Sequence, residues 1–185
     1  MRGLRLRSSL LSSLSLGLGI ALPWLLPTPL RAQSAPQSAP QSAPTRVSDS
    51  AAVVGVAESL LRAISTRDTT LARRLMVPGA QLASIPDPAG PTTASRTQGD
   101  SAFMATLASG TQRYLERMWS PSVFLQGSLA LVHAAYDFHL DGVFSHCGVD
   151  TFTLVRSRGE WRITHVAYTT QRAGCAPSPL GPPRD

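Results

Sequence analysis

Tyr136-Asp137-Phe138-His139-Leu140-Asp141-Gly142-Val143-Phe144-Ser145-His146-Cys147-Gly148-Val149-Asp150 is the stretch that decides the fold. Its first half continues the alternation that begins at Ser128, and its second half runs on in extended character to Arg156. Asp141-Gly142 between them is the dipeptide of a type I′ turn, in which both central residues take positive φ. The reading is a β-hairpin over residues 128–156. A regular ladder about that turn sets Asp137 opposite His146 and His133 opposite Asp150, with His139 and Phe144 on the same face. The other face then carries Val132, Ala134, Tyr136, Phe138, Cys147, Val149 and Val155.

The chain on either side follows from local signals. Ser157-Arg158-Gly159 suits a three-residue turn into a last strand, Glu160–Gln171, which places Trp161, Ile163 and His165 on the more apolar face. A turn one residue different sets His165 beside Asp150 instead. Upstream, Tyr114–Trp119 and Val123–Gln126 read as strands around Pro121. Before them the period is helical. Val53, Val56, Leu60 and Ile64 form one stripe, with Ser48 or Asp49 as its cap. Asp68 or Thr69 opens a short second helix that Pro78-Gly79 stops, and Asp100 caps a third through Phe103, Met104 and Leu107. Gln81–Ile85 is a candidate strand and residues 86–99 a loop. Helices first and an antiparallel meander second make an α+β domain over 48–172.

That order, with the hairpin quoted above and Gly159-Glu160-Trp161-Arg162-Ile163, resembles the NTF2-like superfamily, in particular its SnoaL-like and DUF4440-type domains. The resemblance implies a cone, N-terminal helices packed in a curved antiparallel sheet with a pocket between them. The superfamily holds isomerases, dehydratases, cyclases and non-catalytic binding domains, so the fold leaves function open. No motif matches a catalytic member residue for residue.

The 185 residues include 17 arginines and no lysine against 11 acids, a net charge of +6. Four of the arginines, Arg2, Arg5, Arg7 and Arg31, lie in the first 32 residues, which hold no acid; 13 against 11 remain, or +2. Arg2–Arg7, the apolar run Leu10–Leu26 and a small-residue end at Ala32 have the three parts of a secretory signal peptide. Gln-Ser-Ala-Pro follows three times over residues 33–44, and proline at every fourth position forbids a regular helix, so 33–47 reads as a tether. Export to the periplasm or beyond, without a stable membrane anchor, is the expectation. The remaining arginines are scattered and lack an aromatic platform, which argues against nucleic acid.

Chemistry has few places to sit. His133, Asp137, His146 and Asp150 are candidate acid–base residues on the first hairpin face, and His165 on the other. Tyr136, Thr151, Trp161 and His165 are candidates for the wall of a pocket that takes a small, largely apolar ligand. The same Asp–His face, if convex, suits a homodimer interface, which Leu129, Leu131, Phe152 and Leu154 support. The histidines are too widely spread for one metal ion, and no nucleotide-binding motif is present, so no cofactor is expected. Cys147 and Cys175 are the only cysteines, and in an exported chain they point to a disulfide that ties the proline-rich tail, 173–185, to the central strand. Three classes stay open: a ligand-binding domain, a cofactor-independent isomerase, lyase or hydrolase, and a structural dimerising module.

Overall fold

The computed structural model describes residues 45–87 and 94–183. The segment read as a signal peptide, 1–32, and residues 33–44 of the segment read as a tether lie outside the described residues, whereas 45–47 belong to the first helix. Among the described residues three helices and six strands run in the order α1 (Thr45–Thr66), α2 (Thr69–Leu75), β1 (Met76–Pro86), β2 (Arg96–Gly99), α3 (Asp100–Ser109), β3 (Tyr114–Gln126), β4 (Leu129–Leu140), β5 (Val143–Ser157) and β6 (Glu160–Thr170). The strands form one open sheet, ordered β2-β1-β6-β5-β4-β3. Strand β1 runs parallel to β6 and every other pair is antiparallel, so the sheet is mixed rather than wholly antiparallel. The reason is chain order. β1 is made between helices and has to receive the last strand at its side, which closes the meander back onto the N-terminal half.

The helical stripe does what its spacing demands. Val53, Ala57, Leu60 and Leu61 of α1 are buried against Ala130, Val132, Phe152, Leu154, Ile163 and Val166 of the sheet. Each large side chain so buried contributes roughly 1.5–3 kcal/mol. Helix α1 starts at Thr45, before the expected cap; Asp49 pairs with Arg156 of β5 instead and fastens the helix to the sheet. Asp68 does cap α2, its carboxylate accepting from the Leu71 amide at 2.8 Å. Gly99 precedes α3, and Asp100 lies in its first turn with its carboxylate on the Gly79 amide. The segment read as a loop contains the short edge strand β2, and the strands read around Pro121 are one strand, irregular between Trp119 and Ser122.

On the far face of the sheet, Cys147 and Cys175 are joined in a disulfide with Cα atoms 6.1 Å apart. The tail beyond it is therefore a strap. The Arg117 guanidinium donates to the Gly181 carbonyl at 2.9 Å and, in a twofold grip, to the Asp137 carboxylate at 2.9 and 2.5 Å.

Candidate functional site

Two single-residue bulges decide which side chains enter the cone. The β4–β5 hairpin begins in the expected register, with Leu140 opposite Val143 and His139 opposite Phe144. Ser145 then has no partner, and the next pair is Phe138 with His146. Because strand side chains alternate, one extra residue turns every later β5 side chain to the other face. His146, Asp150, Phe152 and Leu154 consequently share the inner face with Tyr136 and Phe138. Cys147, Val149 and Thr151 are carried outside. The second bulge lies at Thr164, between Leu154–Ile163 and Thr153–His165. It leaves Trp161 and Ile163 on the inner face, turns His165 outward, and brings Val166 and Tyr168 inward.

The inner row that results crosses four strands. Arg96 of β2 pairs with Ser84 of β1, Ser84 with Tyr168 of β6, and Tyr168 with Asp150 of β5. From the opposite edge β3 adds Tyr114, Glu116 and Met118, with Glu116 beside Phe138. These groups open onto a cavity of about 980 Å³ between the sheet and the helices. Leu60, Leu61 and Ile64 of α1 and Phe103 of α3 form its apolar wall, and Glu116, Asp150 and Tyr168 its polar pole.

Electrostatics at that pole are dominated by desolvation. Asp150 is 1 % exposed, and its Oδ2 has no hydrogen-bond partner among the described residues. Burial raises its carboxyl well above the ordinary aspartate range, and the neighbouring Glu116 charge raises it further. Burial likewise pushes Glu116 up to about 8. At neutral pH the pair therefore holds at least one proton and presents both a hydrogen-bond donor and an acceptor. Tyr168 is raised by burial and by both carboxyls, with Ser84 pulling the other way. Tyr136 is spent on the scaffold: its hydroxyl donates to the Thr169 carbonyl at 2.7 Å. Gly148 permits this close approach, since a Cβ there would lie 2.1 Å from that same oxygen. His146 stacks on Phe138 with ring centroids 4.9 Å apart; burial and the nearby Arg172 charge lower it to about 4, so it is neutral at physiological pH.

No protein-family model matches the chain, and no curated protein matches its sequence. Solved structures do match its shape. An NTF2-like protein of Silicibacter pomeroyi superposes with a TM-score of 0.53 at 20% identity over 69% of this chain and 99% of its own. An NTF2-like superfamily protein of Salmonella enterica gives 0.52 at 15% identity, over 67% and 92%. A protein of Nostoc punctiforme with a cystatin-like fold gives 0.54 at 9% identity, over 71% and 95%. The chain has the NTF2-like fold. At these identities the likeness is one of architecture, and the site has to be argued from its own residues.

Within the NTF2-like cone the expected site residues part company. The pairs Asp137–His146 and His133–Asp150 do not form; the actual partners are Asp137–Cys147 and Ala134–Asp150. The Ser145 bulge is the cause. Of the acid–base candidates, His146 and Asp150 line the cavity, whereas His133, Asp137 and His165 lie on the outer face. His133 is exposed, with Nδ1 3.3 Å from the Thr151 hydroxyl. Tyr136, Thr151, Trp161 and His165 are absent from the cavity wall. Tyr136 and Trp161 are inward but committed to the core, and Thr151 and His165 are turned away by the bulges. Trp161 and Ile163 reach the expected face by compensation. The last turn has two residues, Arg158-Gly159 with φ of 54° and 84°, rather than three, and that difference cancels the slip at Ser145. Phe152 and Leu154 belong to the core, so only Leu129 and Leu131 of the four supposed interface residues remain outside. The expected disulfide is present.

Glu116, Tyr168 and Ser84 were not singled out by sequence. Glu116 had a signal: Tyr114, Glu116 and Met118 share one strand face, and a carboxylate on an otherwise apolar stripe is either paired or functional.

Proposed function

We propose that the protein binds a small, largely apolar molecule inside the cone and holds its polar end at Glu116, Asp150 and Tyr168. One observation carries this: a 1 % exposed carboxylate, with an oxygen that has no partner among the described residues, on the wall of a cavity whose helical side is apolar. A buried polar atom without a partner costs roughly 1–3 kcal/mol, and a ligand group that hydrogen-bonds it recovers that cost as affinity. The signal-peptide pattern and the disulfide support a place of action outside the cytoplasm.

The two neighbouring carboxyls, Glu116 and Asp150, both raised by burial on the cavity wall, favour a second reading, cofactor-independent proton transfer as in an isomerase, lyase or hydrolase. A protonated carboxyl polarises or protonates an acceptor on the ligand while its ionised neighbour removes a proton. The pocket's own residues then do three things. The aliphatic and aromatic wall excludes water, the carboxyl pair moves the proton, and Tyr168 orients the oxygen that receives or loses it.

Asp150→Asn separates the readings. Native mass spectrometry of the purified mature protein against a small-molecule library identifies a ligand, and the same ligand is then followed with the variant. Binding alone predicts an affinity about tenfold weaker and no chemical change in either protein. Proton transfer predicts that wild type converts the ligand and the variant binds it unchanged. A protein that retains no small molecule at all would sink both.

A further inference from the structure

The mouth of the cavity has a charge opposite to its pole. Arg96 and Arg172 both line the cavity and are both exposed. Their positions are set by the sheet. Arg96 continues the inner row through Ser84 and Tyr168 to Asp150, and Arg172 follows β6 close enough to His146 to act on it electrostatically. Neither guanidinium makes a hydrogen bond or ion pair among the described residues. Arg67, Arg117, Arg156 and Arg162 are each engaged with a carbonyl or a carboxylate, and the exposed Arg73, Arg74 and Arg158 do not line the cavity, so Arg96 and Arg172 are set apart by their place on its wall. Asp87, also at the wall, is the one acid to set against the pair at the mouth, leaving the rim net positive.

The lining thus combines exposed cations with buried carboxyls and an apolar wall. The exposed cations stand at the open end, the buried Asp150 oxygen lies within, and Leu60, Phe103, Phe138 and Phe152 supply apolar wall to the same cavity. A wholly apolar guest would satisfy the apolar wall and leave the rim unused. A guest with an ammonium group at the mouth would meet repulsion. Guanidinium groups pair best with carboxylate, sulfonate or phosphate oxygens, which they grip through two N–H groups at once.

We infer that the ligand is an amphipathic organic anion, its apolar body in the cone and its anionic group at the mouth between Arg96 and Arg172. This deepens the cavity reading above and rests on it. The chemistry fixes the polarity of binding. The anionic end stays at the rim, where water still reaches it and desolvation is small, and the end that meets Asp150 is neutral.

Two fluorescent probes with one skeleton test the inference. 8-Anilinonaphthalene-1-sulfonate carries an anionic group, and N-phenyl-1-naphthylamine is the same molecule without it. With the full mature chain, the sulfonate is expected to bind at least tenfold more tightly than the neutral probe and to displace it. Arg96→Gln with Arg172→Gln should weaken the sulfonate about tenfold and leave the neutral probe within twofold. Both arginines are exposed, and an unchanged near-ultraviolet circular dichroism spectrum verifies the fold. Equal binding of the two probes, or a double variant that changes neither, overturns the anion while the cavity reading stands. If neither probe binds wild type, the cavity reading falls and the anion with it.

Discussion

Asp137 and Asp150 sit on neighbouring strands of one sheet, 4 % and 1 % exposed, and face opposite sides of it. Their surroundings could hardly differ more. Asp137 receives the twofold grip of Arg117, with His139 Nε2 3.5 Å away, and the strap lies over it. Burial alone would raise its carboxyl, but the Arg117 hydrogen bonds and charge, helped by His139, outweigh burial and hold it below the ordinary range. Asp150 has a second carboxyl for a neighbour, and its pKa moves the other way. A buried charge with its counter-charge is part of the scaffold. A buried carboxyl beside another carboxyl, in a cavity, has no counter-charge in the scaffold, which is what the proposed ligand site rests on.

The largest effect that can break this comparison is on stability. Asp137→Ala leaves the Arg117 guanidinium buried without its carboxylate and is expected to cost about 3–5 kcal/mol. Asp150→Asn removes an ionisable group that has no counter-charge, and should change stability by less than about 1 kcal/mol. Urea unfolding of the two variants at pH 7 decides it. Equal losses would mean that Asp150 is as structural as Asp137.

Next in size is the strap. Closing the chain between Cys147 and Cys175, a separation of 28 residues, stabilises by about 3–4 kcal/mol through loss of unfolded-state entropy. Cys147→Ser with Cys175→Ser should lower the thermal midpoint accordingly. Binding of the neutral probe in the inner cavity, measured below the new midpoint, should be unchanged because the strap beyond Cys175 lies across the other face; the sulfonate is not used, since Arg172 and Ala173 of the cavity wall immediately precede Cys175. A loss of inner-face binding in the folded double variant would show that the two faces are coupled after all.

How much of this was legible from sequence depends on the distance from the hairpin turn. Asp141-Gly142, with φ of 51° and 82°, was readable because positive φ at two successive positions needs those residue types. The helical stripes were readable because burial imposes their period, and the inward set of β4, from Val132 to Phe138, followed from alternation. Inner and outer faces of β5 were not. Ser145 and Thr164 are ordinary strand residues with no glycine to mark a bulge, and each reverses the alternation for everything after it. The two bulges serve one purpose, the curvature a cone needs, and that requirement is tertiary. Glu116 was visible as an anomaly on β3, but its neighbour Asp150 was assigned to the wrong face, so the pair could not be seen.

The smallest predicted effect is the most specific to the inner face, and it has a sign. Glu116 has its folded pKa raised to about 8, so its contribution to stability is fully present below the ordinary glutamate pKa and is lost as pH rises toward 8. The unfolded chain has released that proton by pH 7 while the folded chain still holds it, so stability should fall by about 1 kcal/mol between pH 7 and 8. Asp150, raised in the same direction by burial and by Glu116, adds to this decline, whereas the depressed groups keep out of this window. His146, depressed to about 4, contributes fully above its ordinary value and loses that contribution only on acidification. Asp137, depressed as well, loses its share only as pH falls below the usual carboxylate range. Glu116→Gln should therefore make the decline from pH 7 to 8 shallower and leave the acid limb of the curve as it was, measured as urea midpoints across pH 3 to 9. A decline that survives both Glu116→Gln and Asp150→Asn, or an acid limb that disappears with Glu116→Gln, would place the proton elsewhere than on the Glu116–Asp150 pair.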